Sequence, residues 1–255
     1  MKQPEKRRTV ALLIHGLGGT EHDLGILRKS LNQIGIDTHA LSLPGHGSSP
    51  EDLIMARAEQ WINVATREYD MLARTYETVH LIGMCMGALL ALIVAERRPR
   101  DGKLVLLAAP VFLDGWSMPF YRRLRYFLYL IPCLARRMRV TEQDPYGIKN
   151  ALTRSLIKAR FQRGDAFHYR WVPLACIRQV DRLRYKVWKV ARHIRHPTLV
   201  INSREDEVTS VKSASFLVDA IPTSRCLIVE NSYHMLCIDN DRKQIAETMT
   251  AFLGN

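Results

Sequence analysis

Gly83-Met84-Cys85-Met86-Gly87 sets a cysteine between two glycines, with an apolar run before it and another after it. Val79, Leu81 and Ile82 read as the end of a strand, and Ala88, Leu89, Leu90, Ala91 and Leu92 as the opening of a helix. A side chain at the bend between them sits on a sharp, strained turn with its reactive atom exposed above the sheet. Gly83 and Gly87 have no Cβ, so strand and helix can approach closely there. Cys85 then lies at a helix N-terminus, where the positive dipole end and a nearby histidine favour thiolate over thiol. Such a sulfur suits nucleophilic catalysis, which needs a base to take its proton and a third group to orient the base. Taken alone, Cys85 has a competing reading as a buried cysteine packed as a small hydrophobe.

Three further elements bear on that choice. Ile14-His15-Gly16-Leu17-Gly18-Gly19-Thr20 follows the opening apolar run directly, and its glycines let the backbone aim an amide hydrogen at a developing oxyanion. Asn202-Ser203-Arg204-Glu205-Asp206-Glu207-Val208 follows a later run and puts carboxylates on a strand-end loop. Glu205 and Glu207 flank Asp206, so the orienting acid is one of three neighbours. Glu230-Asn231-Ser232-Tyr233-His234-Met235 follows the last run and places His234 on a loop. The order nucleophile, acid, histidine separates this arrangement from the other two known triad orders. His15 and His46 lie in glycine-rich turns upstream and read as structural; His39, His80, His193 and His196 read as packing or solvent residues.

Together with Leu43-Pro44-Gly45-His46-Gly47-Ser48, these motifs resemble the carboxylesterase and monoacylglycerol-lipase branch of the α/β-hydrolase superfamily. The resemblance spans nearly the whole chain, about residues 10–253, and is weakest in the middle. It implies Cys85 as nucleophile, His234 as general base and Asp206 as its orienter. It also implies backbone N–H donors from Leu17 and Met86 as the oxyanion hole, with Gly16, Leu17 and Met86 lining the substrate site. Most members of the branch carry serine where this chain has Cys85. Dienelactone hydrolases and polyhydroxyalkanoate synthases use cysteine on the same fold. A thiolate also leaves a tetrahedral intermediate more readily than an alkoxide, so cysteine shifts the expected substrates toward thioesters and activated esters. Acyl hydrolysis through an S-acyl-Cys85 intermediate is the leading expectation. Acyl transfer to an amine, alcohol or thiol is the second, and a non-catalytic binding protein the third.

The elements needed to position these residues are legible. Short apolar runs at 9–15, 36–41, 78–84, 103–109, 197–202 and 225–230 alternate with helical periodicity, which predicts a mostly parallel sheet covered on both faces. Leu24, Leu27, Leu31 and Ile34 recur at helical spacing before Gly35; Trp61, Val64, Tyr69 and Leu72 mark a longer helix. The alternation breaks over 113–195. The expected organisation is therefore a core of residues 1–112 and 196–255 with a helical cap inserted between them.

Charge points to the same segment. The chain carries 37 Lys+Arg and 25 Asp+Glu for a net +12, and residues 113–195 hold 19 of the basic and 5 of the acidic residues. An acidic acyl-carrier protein, coenzyme A or an anionic membrane surface is the expected partner of such a patch. Nucleic acid is not, because no recognised module accompanies the charge. Five scattered cysteines without C-x-x-C pairs argue against a disulfide framework and a zinc site. No cofactor or metal is expected. The charged N-terminus lacks a secretory h-region, which predicts a cytoplasmic protein, peripheral to the inner membrane face if the basic segment meets lipid.

Overall fold

A computed structural model describes residues 7–163 and 168–254. The charged residues 1–6 lie outside the described part. The strands are β1 (Arg7–Ile14), β2 (Asp37–Leu41), β3 (Tyr76–Met84), β4 (Leu104–Leu107), β5 (Arg139–Thr141), β6 (Trp171–Pro173), β7 (Thr198–Ser203) and β8 (Ser224–Val229). The helices are α1 (Leu27–Gln33), α2 (Ala58–Thr75), α3 (Met86–Arg97), α4 (Arg125–Leu128), α5 (Pro132–Arg137), α6 (Ala151–Arg163), α7 (Leu174–Val190), α8 (Val211–Ala220) and α9 (Arg242–Gly254).

Six strands form one parallel sheet in the order β2-β1-β3-β4-β7-β8. Alternation along β1 sorts its side chains to the two faces. Val10, Leu12 and Ile14 join the core built with α2, α3, α7 and α8, while Ala11 and Leu13 join the core under α1 and α9. Both faces of the central strands are thus dry, which is why β1 reads as an unbroken apolar run rather than an alternating one. The outer strand β8 is partly exposed, and its sequence carries Ser224, Arg225 and Cys226 accordingly.

Helix α3 is apolar all round, and every residue from Met86 to Ala95 is buried. A helix with no polar face needs cover on every side. The sheet, α2 and α7 supply it. Helix α7 belongs to the stretch between β4 and β7, yet it buries Cys176, Val180, Leu183 and Val187 in the main core.

Two local expectations give way. Ile34 follows α1 as its cap and is exposed, because the helix ends at Gln33 before Ile34 turns inward. The stretch 113–195, read as helical, also contains the small antiparallel sheet of β5 and β6. Three-residue strands with solvent-facing residues such as Arg139 carry too little periodicity to be read from sequence.

Glycine is required where three backbones converge below the β3–α3 bend. A Cβ on Gly83 would fall 2.2 Å from the Gly87 carbonyl oxygen, and one on Gly87 would fall 2.1 Å from that of Ile14 in β1. Gly87→Ala is therefore expected to cost about 3 kcal/mol or more, since backbone cannot yield as a side chain can. Gly35 has a positive φ of 78° but open surroundings, so Gly35→Ala should cost only about 1–2 kcal/mol. Chemical denaturation of the two variants checks the ordering; equal losses would show that crowding at the bend is not the constraint.

Candidate active site

The bend gives Cys85 its unusual backbone. Its φ is 52° and ψ −123°, a conformation rarely adopted by residues other than glycine, and it caps the N-terminus of α3. Strain of this kind persists only where the surroundings impose it. Here the Cys85 N–H is tied to the Leu107 carbonyl at the end of β4, 2.9 Å away. The side chain is half-buried and packs on the loop after β1. An ideal Cβ on Gly16 would lie 3.2 Å from Cys85 Cβ and 3.8 Å from its Sγ. Leu17 sits on the same loop, and Met86 is the first residue of α3, where helix geometry leaves N–H groups without intrahelical partners.

Asp206 and His234 come from the loops after β7 and β8. The Nδ1–H of His234 donates to both oxygens of Asp206, at 2.9 and 3.0 Å. Asp206 Oδ1 also accepts the backbone N–H groups of Val208 and Thr209, at 2.8 and 2.9 Å, so the carboxylate is fixed before it meets the ring. Both residues are buried. Burial opposes a charged imidazole at His234, but Asp206 and the Cys85 sulfur outweigh it and hold its proton affinity well above the usual histidine range. The other ring nitrogen, Nε2, is buried without a formed hydrogen bond, and the Cys85 sulfur lies close enough to act on the ring electrostatically.

The three acids of the 205–207 run take separate tasks. Glu205 pairs with Lys149, and Glu207 accepts the Gly147 N–H at 2.8 Å. Only Asp206 meets the ring. His15 and His46 stay out of the site's hydrogen bonding to the triad. His15 Nδ1 lies 2.8 Å from the Gly16 carbonyl and its Nε2 accepts the Leu43 N–H, so it shapes the 16–19 loop from below. Burial lowers its proton affinity, and lowers that of His46 to about 3, so both are neutral.

Two groups around the site had no signal in the sequence. Asp239 is fully buried, and its carboxylate accepts N–H groups from Tyr233, Lys149, Asn150 and Asn240 at 2.7–2.9 Å. It thereby ties the His234 loop to the stretch before α6. His168 reaches over the loop after β1 to Asp23, with Nδ1 3.3 Å from Oδ2. Among the described residues, no three His, Cys, Asp or Glu side chains converge so as to hold a metal ion, and no helix is long and apolar enough to cross a membrane.

Parallel strands that bring their carboxyl ends together around such a strand–turn–helix corner characterise the α/β-hydrolase fold, and this chain is a hydrolase of that class. More narrowly, the chain belongs to the Hydrolase_4 family, described as serine aminopeptidase S33, whose model matches residues 5–241. The family is named for serine; residue 85 here is cysteine. The chain is 24% identical to a carboxylesterase of Bacillus subtilis (strain 168), over 95% of this chain and 91% of that protein. It is 26% identical to a thermostable monoacylglycerol lipase of Bacillus sp. (strain H-257), over 95% of this chain and 89% of that protein. The crystal structure of a Paleococcus ferrophilus monoacylglycerol lipase has the same fold, with a TM-score of 0.80 at 18% identity, covering 98% of this chain and 95% of that one.

Glu207 offers a pH test of the site's electrostatics. Burial raises its carboxyl from an ordinary 4.5 to about 7, against the pull of His234 and the Gly147 N–H. An acid whose folded value is raised stabilises the fold least when ionised: its contribution is intact below pH 4.5 and is lost as pH rises through 7. Removing the charge with Glu207→Gln should therefore raise stability at pH 8.5 by about 2 kcal/mol relative to wild type, and by much less at pH 5.5. Thermal unfolding at the two pH values measures this; a gain independent of pH would contradict it.

Proposed function

We propose that this chain is an acyl hydrolase acting through an S-acyl-Cys85 intermediate, with His234 as base and Asp206 as its orienter. The observation that carries the reading is the buried Asp206–His234 pair, whose free nitrogen is acted on by the sulfur of a residue held at φ 52°. His234 Nε2 takes the proton from Cys85 Sγ, and the thiolate adds to the substrate carbonyl. The N–H groups of Leu17 and Met86 receive the oxyanion, with Gly16 and Leu17 forming one wall. Collapse returns the proton from His234 to the departing alcohol or thiol, leaving a thioester on Cys85. Water, deprotonated by the same histidine, then releases the acid.

The names of the two Bacillus relatives, a carboxylesterase and a monoacylglycerol lipase, support carboxylic esters as the substrate class. Thiolate as leaving group supports thioesters beside them, because exchange between two thioesters is nearly thermoneutral. The same intermediate would allow transfer to an amine, alcohol or thiol; the basic stretch supports that version through an acidic acyl-carrier protein or coenzyme A. Residues 113–195 serve in this reading as the cap over the acyl site, with α7 as its anchor on the core. Intact-mass spectrometry after mixing with a panel of oxyesters and thioesters should show one acyl adduct, absent in Cys85→Ala. That variant should lose about a thousandfold or more in kcat. Full turnover by Cys85→Ala would end the reading.

The cap surface also favours a membrane-peripheral location on the cytoplasmic side. Phe120, Leu130 and Phe127 are 92%, 77% and 70% exposed, and Leu124, Tyr121 and Ile131 stand out beside them. Arg122, Arg123, Arg136, Arg137 and Arg139 lie in the same stretch of chain. An apolar surface accompanied by cations fits an anionic bilayer, which takes up both. The protein should float with liposomes containing about 30% anionic lipid, and less with neutral ones, the difference shrinking in Phe120→Ser/Phe127→Ser. Flotation insensitive to anionic lipid would rule the location out.

A further inference from the structure

The loop after β1 is held between two different reactive side chains. Cys85 packs on it at Gly16, and His168 packs on it two residues later. An ideal Cβ on Gly18 would lie 3.8 Å from His168 Nε2, and one on Gly19 would lie 3.3 Å from Nδ1. Asp23, on the turn that follows, is 3% exposed and sits so close that a Cβ on Gly19 would overlap its carboxylate. The neighbouring Tyr169 fixes the segment, its N–H donating to the Gly18 carbonyl at 2.8 Å and its hydroxyl to the Gly45 carbonyl at 3.0 Å.

A buried ion pair does not stabilise a fold better than apolar side chains of similar size, and breaking half of one is costly. Tethering alone is already provided by Tyr169. The groups facing His168 also point to a standing positive charge. Asp23 faces it from the turn after β1 at 3.3 Å, and Glu142, after β5, lies 4.0 Å from Nε2. Phe161 of α6 presents its ring 6.5 Å away. His15 and His46, both neutral, and Cys85 on the other part of the loop at Gly16 lie close enough to influence its charge. Burial works against charge on this ring, but Asp23, Glu142 and the Cys85 sulfur overcome it and lift its proton affinity to about 9.

We propose that His168, anchored by Asp23 across the 16–19 loop from Cys85, supplies a fixed positive charge to the reaction centre. It stabilises the anionic sulfur before attack and the oxyanion formed beside Leu17 after it. The charge is placed before the reaction begins, so no reorganisation is needed as negative charge develops. His168 exchanges no proton with substrate; it is a positioning residue that acts through the field at Cys85. This makes the site a two-histidine centre, with His234 for proton transfer and His168 for charge, and it rests on the reading of Cys85 as nucleophile.

The test is the pH dependence of Cys85 alkylation by iodoacetamide, read on the Cys85 peptide by mass spectrometry in the full chain. His168→Gln should move the alkylation midpoint up by about one pH unit and lower kcat about tenfold, with KM changed less than twofold. His168→Arg, which keeps the charge, should restore the midpoint, and Asp23→Asn should shift it in the same direction as His168→Gln. A folded His168→Gln with an unchanged midpoint, whatever its thermal stability, would reduce the residue to a tether and overturn the proposal. Should His168→Gln not fold, the midpoint in Asp23→Asn decides in the same way. Alkylation needs no turnover, so an active Cys85→Ala would sink the nucleophile assignment while leaving the midpoint comparison readable.

Discussion

Below the bend after β3 the main chains of β1, β3 and α3 come together with no space for a side chain between them. A methyl group on Gly83 or Gly87 would lie about 2 Å from a carbonyl oxygen, far inside contact distance. This closeness forces the backbone of Cys85 into its positive-φ conformation and brings the first turn of α3 against the loop that follows β1. The same closeness buries α3 from Met86 to Ala95, and α2 and α7 cover it. The Cys85 sulfur is therefore placed by packing that involves much of the core as well as by its own contacts with Leu107 and Gly16. Asp206 and His234 need only be delivered to the neighbouring strand ends, and β7 and β8 do so.

How much of this could be read from the residues depends on how local the cause is. The bend is encoded in five consecutive residues, and the central strands in runs of consecutive apolar ones; both were legible. The choice of Asp206 over Glu205 and Glu207 rested on the resemblance, not on the loop's own residues, and in the structure it is the Asp206 carboxylate that meets the His234 ring. Asp239, Asp23 and His168 had no such signal. Asp23 and His168 are 145 residues apart, and Asp239 meets Lys149 and Asn150 from 90 and 89 residues away. Pairs of polar residues at that distance leave no period or spacing to detect. Ile34 failed in the opposite sense: it continues an apolar pattern for one step beyond the point where the helix ends.

Composition marked the stretch between β4 and β7 as strongly basic, but it did not say how that charge is divided. Part of it is internal. Arg125 grips Asp181 through Nε and Nη2 at 2.8 and 3.1 Å, Tyr129 donates its hydroxyl to the same carboxylate, and Arg184 adds a further contact. This cluster binds α4 to α7, and Arg184 also donates to the Val111 carbonyl. A single half-buried acid thus organises two arginines and a tyrosine into the frame of the segment. The arginines that remain outside, among them Arg123, Arg136 and Arg137, share their stretch of chain with exposed aromatic and aliphatic side chains such as Phe120 and Phe127.

The carboxylate of Asp239 has a consequence for how such proteins diversify. It receives main-chain donors from the turn that presents His234 and from the chain entering α6, so one acid fixes both the His234 turn and the attachment of that segment. Because those donors are backbone amides, exchanging the side chains of Tyr233, Lys149 or Asn150 leaves the bonds in place. Grafting a foreign segment in place of this one would succeed only if the transplanted piece carried a matching pair of amides to the same oxygen atoms. Swapped without them, the new segment would leave the carboxylate short of two of its four main-chain donors.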